Sequence, residues 1–305
     1  MSRIHEALKK AEHERTVSGP QPLPVEATPG FEGVDHPEAP VETISSAYAT
    51  AMAAQPVPPQ ALYTQCRQTT WNPDPKAMLF FNGDDHGVGM EEFRTLRSRL
   101  YHAREKMPLA KLLISSPLPR EGKSFMAANL AQVMVRQHGK RALLIDADLR
   151  NSQLHRLLGA EATPGICEYL QGAADEFSIM QRGPMENLFL IPAGRDNQNP
   201  AELVANGRMK LLLDRLEPLF DWIIVDSPPA ALVSDAGLLA GYCDAVLLIL
   251  RSNATPVDAA RRAAHEFPAE KLLGTVLNGI SPGLSPYSHY YYSAYGTNGD
   301  PRSAK

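Results

Sequence analysis

The fold of this chain is decided by residues 111–129, which read KLLISSPLPREGKSFMAAN. An apolar run leads into a short loop that ends in Gly122-Lys123-Ser124, and a stretch of helical composition follows. This order predicts a nucleotide triphosphate site, because backbone N–H groups of the loop and the positive end of the helix dipole face the same anion. In such a loop Lys123 reaches the β- and γ-phosphates, and the hydroxyl of Ser124 binds Mg²⁺.

The loop departs from the usual pattern G-x-x-x-x-G-K-[ST] at its first position, where this chain has Pro117. Taken alone, the segment therefore also fits an ordinary strand–turn–helix corner. Two acidic motifs further along the chain favour the nucleotide site.

Each of these motifs places aspartate at the end of an apolar run. The first, RALLIDADLR at residues 141–150, contains Asp146 and Asp148, which share one face because side chains alternate along a strand. The second, DWIIVDSPP at residues 221–229, contains Asp226. An acidic residue at the carboxyl end of a core strand, beside a phosphate loop, commonly holds Mg²⁺ or its water shell.

Six apolar runs of strand length alternate with segments long enough for helices. They cover residues 112–115, 143–146, 188–191, 223–226, 245–250 and 274–277. Such alternation predicts an α/β fold with a mostly parallel sheet and helices on both faces. The phosphate loop then lies at the carboxyl edge of the sheet, where such sheets bind ligands.

The composition divides the chain into four parts. Residues 1–15, MSRIHEALKKAEHER, have apolar residues at helical spacing, which predicts a short amphipathic helix that either folds against a partner or is a frayed tail. Eleven of the 26 prolines lie between residues 20 and 75, and we expect residues 16–78 to be a disordered linker. A P-loop domain is predicted for residues 79–281 and a flexible tail for residues 282–305.

Charge and cysteine content exclude several functions. The net charge of −4 gives no electrostatic argument for binding nucleic acid. The three cysteines, Cys66, Cys167 and Cys243, form no CxxC pair, which indicates a reducing compartment and no structural zinc. The N-terminus lacks the apolar core of a signal peptide, and the apolar runs are too short to span a membrane, so we expect a cytoplasmic protein.

Together these motifs resemble those of the bacterial tyrosine kinases of capsule and exopolysaccharide systems (BY-kinases), whose fold is related to the MinD/ParA-type P-loop ATPases. The resemblance covers residues 88–295. The sequence EEFRTLRSRL at residues 91–100 is similar to the oligomerisation motif E-x-x-R-x-x-R of the family. The sequences PREGKS, IDADLR and VDSPP are similar to its Walker A, Walker A′ and Walker B motifs.

The resemblance implies an ATP-dependent protein-tyrosine autokinase that uses Mg²⁺ and regulates exopolysaccharide polymerisation and export. The implied catalytic residues are Lys123, Asp146, Asp148 and Asp226, with Asp146 as the base. The implied Mg²⁺ ligands are Ser124, Asp146 and Asp226. The implied nucleotide-binding residues are Arg120, Glu121, Gly122, Lys123, Ser124, Phe125 and, near the adenine, Asn278.

Half of the ten tyrosines lie within nine residues of the tail: Tyr287, Tyr290, Tyr291, Tyr292 and Tyr295. The cluster could be a sticky aromatic tail, but the resemblance implies that it is the phosphorylation substrate, modified between subunits. It further implies that Glu91, Arg94 and Arg97 join subunits into a homo-oligomer, such as a ring. A separate transmembrane polysaccharide chain-length regulator is implied as the activator, which would recruit the chain to the inner face of the cell membrane.

The sequence departs from the family at two positions. Arg120 stands where the family generally has glycine, and Ser152 stands where the motif L-R-x-P has proline. Arg120 either crowds the loop or adds a positive charge near the phosphates. An alternative function is that of a MinD/ParA-like switch ATPase, although residues 117–119 lack the second lysine typical of that class. A nucleotide-binding scaffold without catalysis is a third reading and rests on Arg120 alone.

Overall fold

The computed structural model describes residues 60–81, 89–195 and 199–280. Its centre is an eight-stranded sheet in the order β1-β4-β5-β3-β6-β2-β7-β8. The strands are β1 (Arg67–Gln68), β2 (Lys111–Ser115), β3 (Ala142–Asp146), β4 (Gln181–Arg182), β5 (Leu188–Ile191), β6 (Trp222–Asp226), β7 (Ala245–Arg251) and β8 (Leu272–Asn278). Neighbouring strands are parallel except β4 and β5, which are antiparallel.

The helices cover both faces of this sheet. They are α1 (Ala61–Gln65), α2 (Met90–Arg104), α3 (Lys123–Val135), α4 (Leu154–Leu158), α5 (Ile166–Leu170), α6 (Pro200–Ala205), α7 (Arg208–Leu216), α8 (Asp235–Tyr242) and α9 (Val257–His265), with a 3₁₀ turn at Glu217–Leu219. Among the described residues, no helix is both long and apolar enough to cross a membrane.

Two apolar cores lie on opposite faces of the sheet because side chains alternate along each strand. In β2, Leu113 belongs to one core, and its neighbours Leu112 and Ile114 belong to the other. The residues of β2, β3, β5 and β6 are all buried. This two-sided burial confirms the predicted α/β class with a mostly parallel sheet.

All six predicted strands are present, and two further strands were not predicted. Strands β1 and β4 each contain two residues, and all four of those side chains are glutamine or arginine. A pair of polar residues has no apolar pattern by which it could be recognised.

The predicted linker boundary at residue 78 is wrong, because the folded part begins earlier. Residues 66–81, which we call the N-terminal strap, run from β1 across the end of α4 to α3. Its apolar side chains Trp71, Met78 and Phe80 are at most 4% exposed and belong to the core on the α3 side. The predicted helix of residues 1–15 and the tail of residues 282–305 lie outside the described residues.

The strap is attached by close contacts at both ends of its path. A Cβ atom at Gly183 would lie 2.2 Å from the indole of Trp71, and one at Gly159 would lie 2.0 Å from the carbonyl oxygen of Asn72. Further along, the side-chain amide of Asn129 on α3 donates to the carbonyl of Ala77 and accepts from the N–H of Leu79, both at 2.8 Å. The composition of the strap is that of a linker, and these long-range contacts order it.

We expect Trp71→Ala to lower the free energy of unfolding by about 3–5 kcal/mol, as for other buried aromatic side chains. Urea unfolding followed by circular dichroism measures this change. The control is Leu232→Ala, since Leu232 is 59% exposed and its truncation should change stability by less than about 0.5 kcal/mol. Equal stability of the Trp71 variant and the unmodified chain would show that the strap contributes nothing to the fold.

Candidate nucleotide-binding site

The site lies at the carboxyl edge of the three central strands. Asp146 at the end of β3 is the register partner of Asp226 at the end of β6, and Asp226 is also paired with Ile114 of β2. The phosphate loop, residues 116–122, follows β2 and leads into α3. Parallel strands therefore bring together two carboxylates that are 80 residues apart in sequence and place them beside the loop.

Two residues of the phosphate loop adopt left-handed backbone angles. Gly122 has φ of 95°, and a Cβ atom there would lie 2.2 Å from the side-chain nitrogen of Asn278, so only glycine fits. Arg120 has φ of 64°, which costs a non-glycine residue about 1–2 kcal/mol. This conformation explains a preference for glycine at position 120. The Arg120 side chain is exposed and does not crowd the loop.

The turn into α3 presents backbone donors to a ligand. Among the described residues, the N–H groups of Glu121, Gly122 and Lys123 make no hydrogen bond. They stand at the N-terminus of a helix of 13 residues, where the dipole favours an anion. Three free N–H groups in this position form a cradle for phosphate oxygens.

The ammonium of Lys123 is buried among carboxylates. Its Nζ donates to Oδ2 of Asp148 at 2.7 Å and lies 3.9 Å from Oδ1 of Asp226. Burial lowers the pKa of Lys123, but Asp226 and Asp148 together outweigh burial and raise the pKa above its usual value. The lysine is therefore charged and held at the helix N-terminus, where a phosphate can replace its carboxylate partner.

Asp146 has one occupied and one unoccupied oxygen. Its Oδ2 accepts the N–H groups of Gln153 and Leu154 at 3.1 and 3.0 Å and so caps the start of α4, whereas its Oδ1 has no partner in the described structure. Burial, followed by repulsion from Asp226, raises the pKa of Asp146. One carboxylate thus both fixes a helix and leaves an acceptor free.

Asp226 is the least compensated of the buried carboxylates. Neither oxygen makes a hydrogen bond of normal geometry with the described residues. Burial raises its pKa, and the nearby charge of Lys123 and hydroxyl of Ser124 offset only part of that increase. A hard cation ligated by oxygen would satisfy these atoms.

An ion pair joins the two loops that follow these aspartates. Arg150 donates through Nε and Nη2 to the two oxygens of Asp235, at 2.8 and 3.2 Å, and Asp235 is buried. Arg150 belongs to the loop after β3, and Asp235 begins α8 beyond the loop after β6. The pair limits how far the two loops can separate. It joins residues whose proximity the sequence does not indicate.

Three predicted site residues have unexpected surroundings. The side chain of Glu121 is buried and accepts the N–H of Leu118 at 2.8 Å. Phe125 packs against Phe93 of α2, with ring centroids 6.0 Å apart. The amide of Asn278 donates to the backbone carbonyl of Glu121 at 2.9 Å. All three side chains therefore make contacts within the protein.

The arginine motif on α2 is also engaged within the chain. Arg94 pairs with Glu91 one turn earlier, and Arg97 donates to the backbone carbonyl of Val133 in α3 at 2.9 Å. The spacing of Glu91, Arg94 and Arg97 predicts that they lie on one side of α2. The spacing does not predict that Arg97 contacts α3, the helix that follows the phosphate loop.

The fold and site define a P-loop nucleotide-binding protein of the α/β class. A family model described as an AAA domain matches residues 121–259. The chain is 35% identical to the tyrosine-protein kinase YwqD of Bacillus subtilis, and the matched region covers 69% of this chain and 87% of YwqD. The chain belongs to the bacterial tyrosine-protein kinase family.

Two further comparisons agree with this family assignment. The tyrosine-protein kinase ptk of Acinetobacter johnsonii is 31% identical over 68% of this chain, but the match spans only 28% of that longer protein. The structure of the kinase domain of the Escherichia coli tyrosine kinase ETK matches with a TM-score of 0.60 and 30% identity, over 62% of this chain and 75% of that domain.

The uncompensated charge predicts that Asp226 lowers the stability of the nucleotide-free protein. Its raised pKa means that the folded state binds a proton that the unfolded state has already lost, so stability falls as pH rises from the ordinary pKa of 3.8 through the raised one. We expect Asp226→Asn to raise the free energy of unfolding at pH 8 by about 1–3 kcal/mol. The gain should shrink as pH falls towards 4.

Asp221→Asn is the control with the opposite sign. Asp221 accepts from Lys140 and from the N–H of Arg141. These bonds outweigh burial and lower its pKa. Its replacement should therefore reduce stability at pH 8, and the loss should shrink as pH falls through the lowered pKa. Denaturant titrations at several pH values measure both effects. Destabilisation by Asp226→Asn at pH 8 would contradict the conclusion that the buried charge of Asp226 lowers the stability of the protein.

Proposed function

We propose that the chain is an ATP-dependent protein-tyrosine kinase that phosphorylates the tyrosines of its own C-terminal tail. The observation that carries the proposal is the buried Lys123 ammonium, which lies between Asp148 and Asp226 beside three unpaired N–H groups. The names of the relatives, tyrosine-protein kinases, support the choice of acceptor.

Phosphoryl transfer requires alignment and neutralisation of charge more than covalent chemistry. The N–H groups of Glu121, Gly122 and Lys123 bind phosphate oxygens. Lys123 leaves Asp148 to contact the transferring phosphate, and its charge stabilises the transition state. The buried position of the ammonium excludes water, which strengthens this interaction.

The surroundings of Ser124 and Asp226 fit Mg²⁺. The two oxygens of Asp226 lack hydrogen-bond partners of normal geometry, and hydroxyl and carboxylate oxygens are the ligands that Mg²⁺ prefers. Among the described residues, no group of three His, Cys, Asp or Glu side chains could hold a metal by itself. When bound, Mg²⁺ neutralises charge on the phosphates. Ser124 and Asp226 would hold it directly, and Asp146 would contact its water shell.

Asp146 is the proposed base for the tyrosine hydroxyl. Its Oδ2 is fixed by two N–H groups of α4, and its Oδ1 has no partner among the described residues. A carboxylate with a raised pKa accepts a phenol proton more readily than an unperturbed one. Its pKa is raised in this structure by burial and then by Asp226.

The proposed substrate is the tyrosine cluster Tyr287, Tyr290, Tyr291, Tyr292 and Tyr295. Strand β8 ends at Asn278, whose amide contacts the backbone of Glu121, so the end of β8 lies beside the phosphate loop. A flexible segment can bring several phenols to one site. We propose transfer between subunits, since subunits of a ring place each tail near a neighbour.

The proposed assembly is a homo-oligomer that contacts through Glu91 and Arg94, with Arg97 holding α2 to α3 in the same chain. A transmembrane regulator of polysaccharide chain length is the proposed activator. The cytoplasmic chain would be recruited by that regulator to the inner face of the cell membrane. The proposed role is control of exopolysaccharide polymerisation and export.

Transfer between subunits is tested with a mixture of two variants. Lys123→Met lacks the charge on the transferring phosphate and should lose at least about 10²-fold in rate. The second variant has phenylalanine at all five tail tyrosines and keeps an intact site. In the mixture, mass spectrometry should find phosphate on the tail of the Lys123→Met chain.

Each variant alone serves as a control and should remain unlabelled at the tail. Full labelling of the Lys123→Met chain alone would refute the assigned site. ATP hydrolysis by the unmodified chain with its activator, without phosphotyrosine on any protein, would instead favour the switch ATPase.

The assembly is tested with Arg94→Ala, since Arg94 and its ion-pair partner Glu91 lie in the motif on α2 that we propose as the contact between subunits. We expect a lower mass by light scattering, because the variant removes a charge from the proposed contact surface. The control is Arg99→Ala, an exposed arginine on the same helix. Equal masses for the Arg94 variant and the unmodified chain would contradict this contact.

A further inference from the structure

The phosphate loop contains a buried acid that the nucleotide site does not require. Glu121 is 3% exposed and lies between Arg120 and Gly122, two residues before Lys123. A carboxylate next to a triphosphate site opposes binding unless its charge is directed elsewhere. The structure gives each of its oxygens a partner, one within the phosphate loop and one in the connection between β7 and α9.

Each oxygen of Glu121 has a defined hydrogen bond. Oε2 accepts the N–H of Leu118 at 2.8 Å, across the phosphate loop. Oε1 accepts the hydroxyl of Thr255, which lies in the connection between β7 and α9. The same hydroxyl oxygen accepts the N–H of Arg251 at 2.7 Å. The carboxylate of Glu121 thus bonds to Leu118 within the phosphate loop and to Thr255 in the connection after β7.

Two more bonds hold the backbone of this loop. Arg251 donates through Nη1 to the carbonyl of Arg120 at 3.1 Å, and Asn278 donates to the carbonyl of Glu121 at 2.9 Å. In a trans peptide the C=O and the following N–H point in opposite directions. Because both carbonyls face β7 and β8, the N–H groups of Glu121 and Gly122 face the opposite side, where they are unpaired.

We propose that Thr255 and Glu121, with Arg251, form a clamp that positions the phosphate loop for the triphosphate and turns the charge of Glu121 away from it. These are positioning residues, since they act through the backbone N–H groups of the loop. The proposal rests on the proposed nucleotide site and deepens it. It assigns a role to the β7–α9 connection, which contains Thr255.

The clamp predicts a specific effect of removing the Thr255 hydroxyl. Thr255→Val keeps the size of the side chain and frees Oε1 of Glu121 beside the triphosphate. We expect the Kd for ATP·Mg²⁺, measured by calorimetry, to rise by about tenfold, the range for a hydrogen bond to a charged group. Thr255→Ser keeps the hydroxyl and should stay within about twofold of the unmodified chain.

A double variant distinguishes a loss of affinity caused by the freed charge of Glu121 from one caused by a general loss of structure. If the freed charge of Glu121 is what weakens binding, Glu121→Gln in the Thr255→Val background should recover most of the lost affinity, because glutamine has the same shape without the charge. A purely structural role of Thr255 predicts no recovery. Thr275→Val, on the exposed face of β8, is the matched control and should bind as the unmodified chain does.

Three results would overturn the clamp. They are unchanged affinity in Thr255→Val, equal weakness of Thr255→Ser and Thr255→Val, and no recovery in the double variant. Binding of ATP without phosphotyrosine formation would refute the proposed kinase activity. The clamp would still be tested by the Kd values, which do not depend on that activity. Failure of the unmodified chain to bind ATP·Mg²⁺ would refute both.

Discussion

The ion pair between Lys123 and Asp148 is the contact on which the site depends. It places an ammonium, together with the carboxylates of Asp146 and Asp226, where water has little access. Three carboxylates and one ammonium leave this region short of positive charge. Burial and this shortage raise the pKa values of Asp146 and Asp226. The region is therefore suited to a ligand that brings cations with its phosphates.

Such an arrangement is costly in a protein without ligand. A buried carboxylate with no hydrogen-bond partner typically costs more than about 1–3 kcal/mol, and Asp226 has two such oxygens. The surrounding sheet supplies the compensation, since the strands that carry these acids are buried on both faces. The favourable free energy of packing in the two cores offsets the unfavourable burial of these charged side chains.

The phosphate-loop helix is held from two directions. On one side the N-terminal strap binds α3 through Asn129, and it also contacts the end of α4, the helix that Asp146 caps. On the other side, the end of β7 contacts the loop through Arg251, and the connection after β7 contacts it through Thr255. The first set of contacts fixes the helix axis, and the second fixes the backbone that precedes it. The loop between them has little freedom to move independently.

The sequence by itself determined the parallel sheet, the phosphate loop and the three aspartates at strand ends. These features are local, because a run such as Leu143–Asp146 shows its burial and its terminal acid within a few residues. The predicted roles of the tail and of the N-terminal helix are likewise sequence arguments, and their residues lie outside the described structure.

Only the tertiary structure decided which polar groups hold the site together. Residues 66–78 have the composition of a linker, yet Trp71 and Asn72 meet glycines about 90 to 110 residues away in sequence. The partners of Glu121 and Arg97 are similarly distant, and neither residue differs in type from an exposed charge. A hydrogen bond between remote segments leaves no periodic pattern in either one, so its existence depends on how the elements pack.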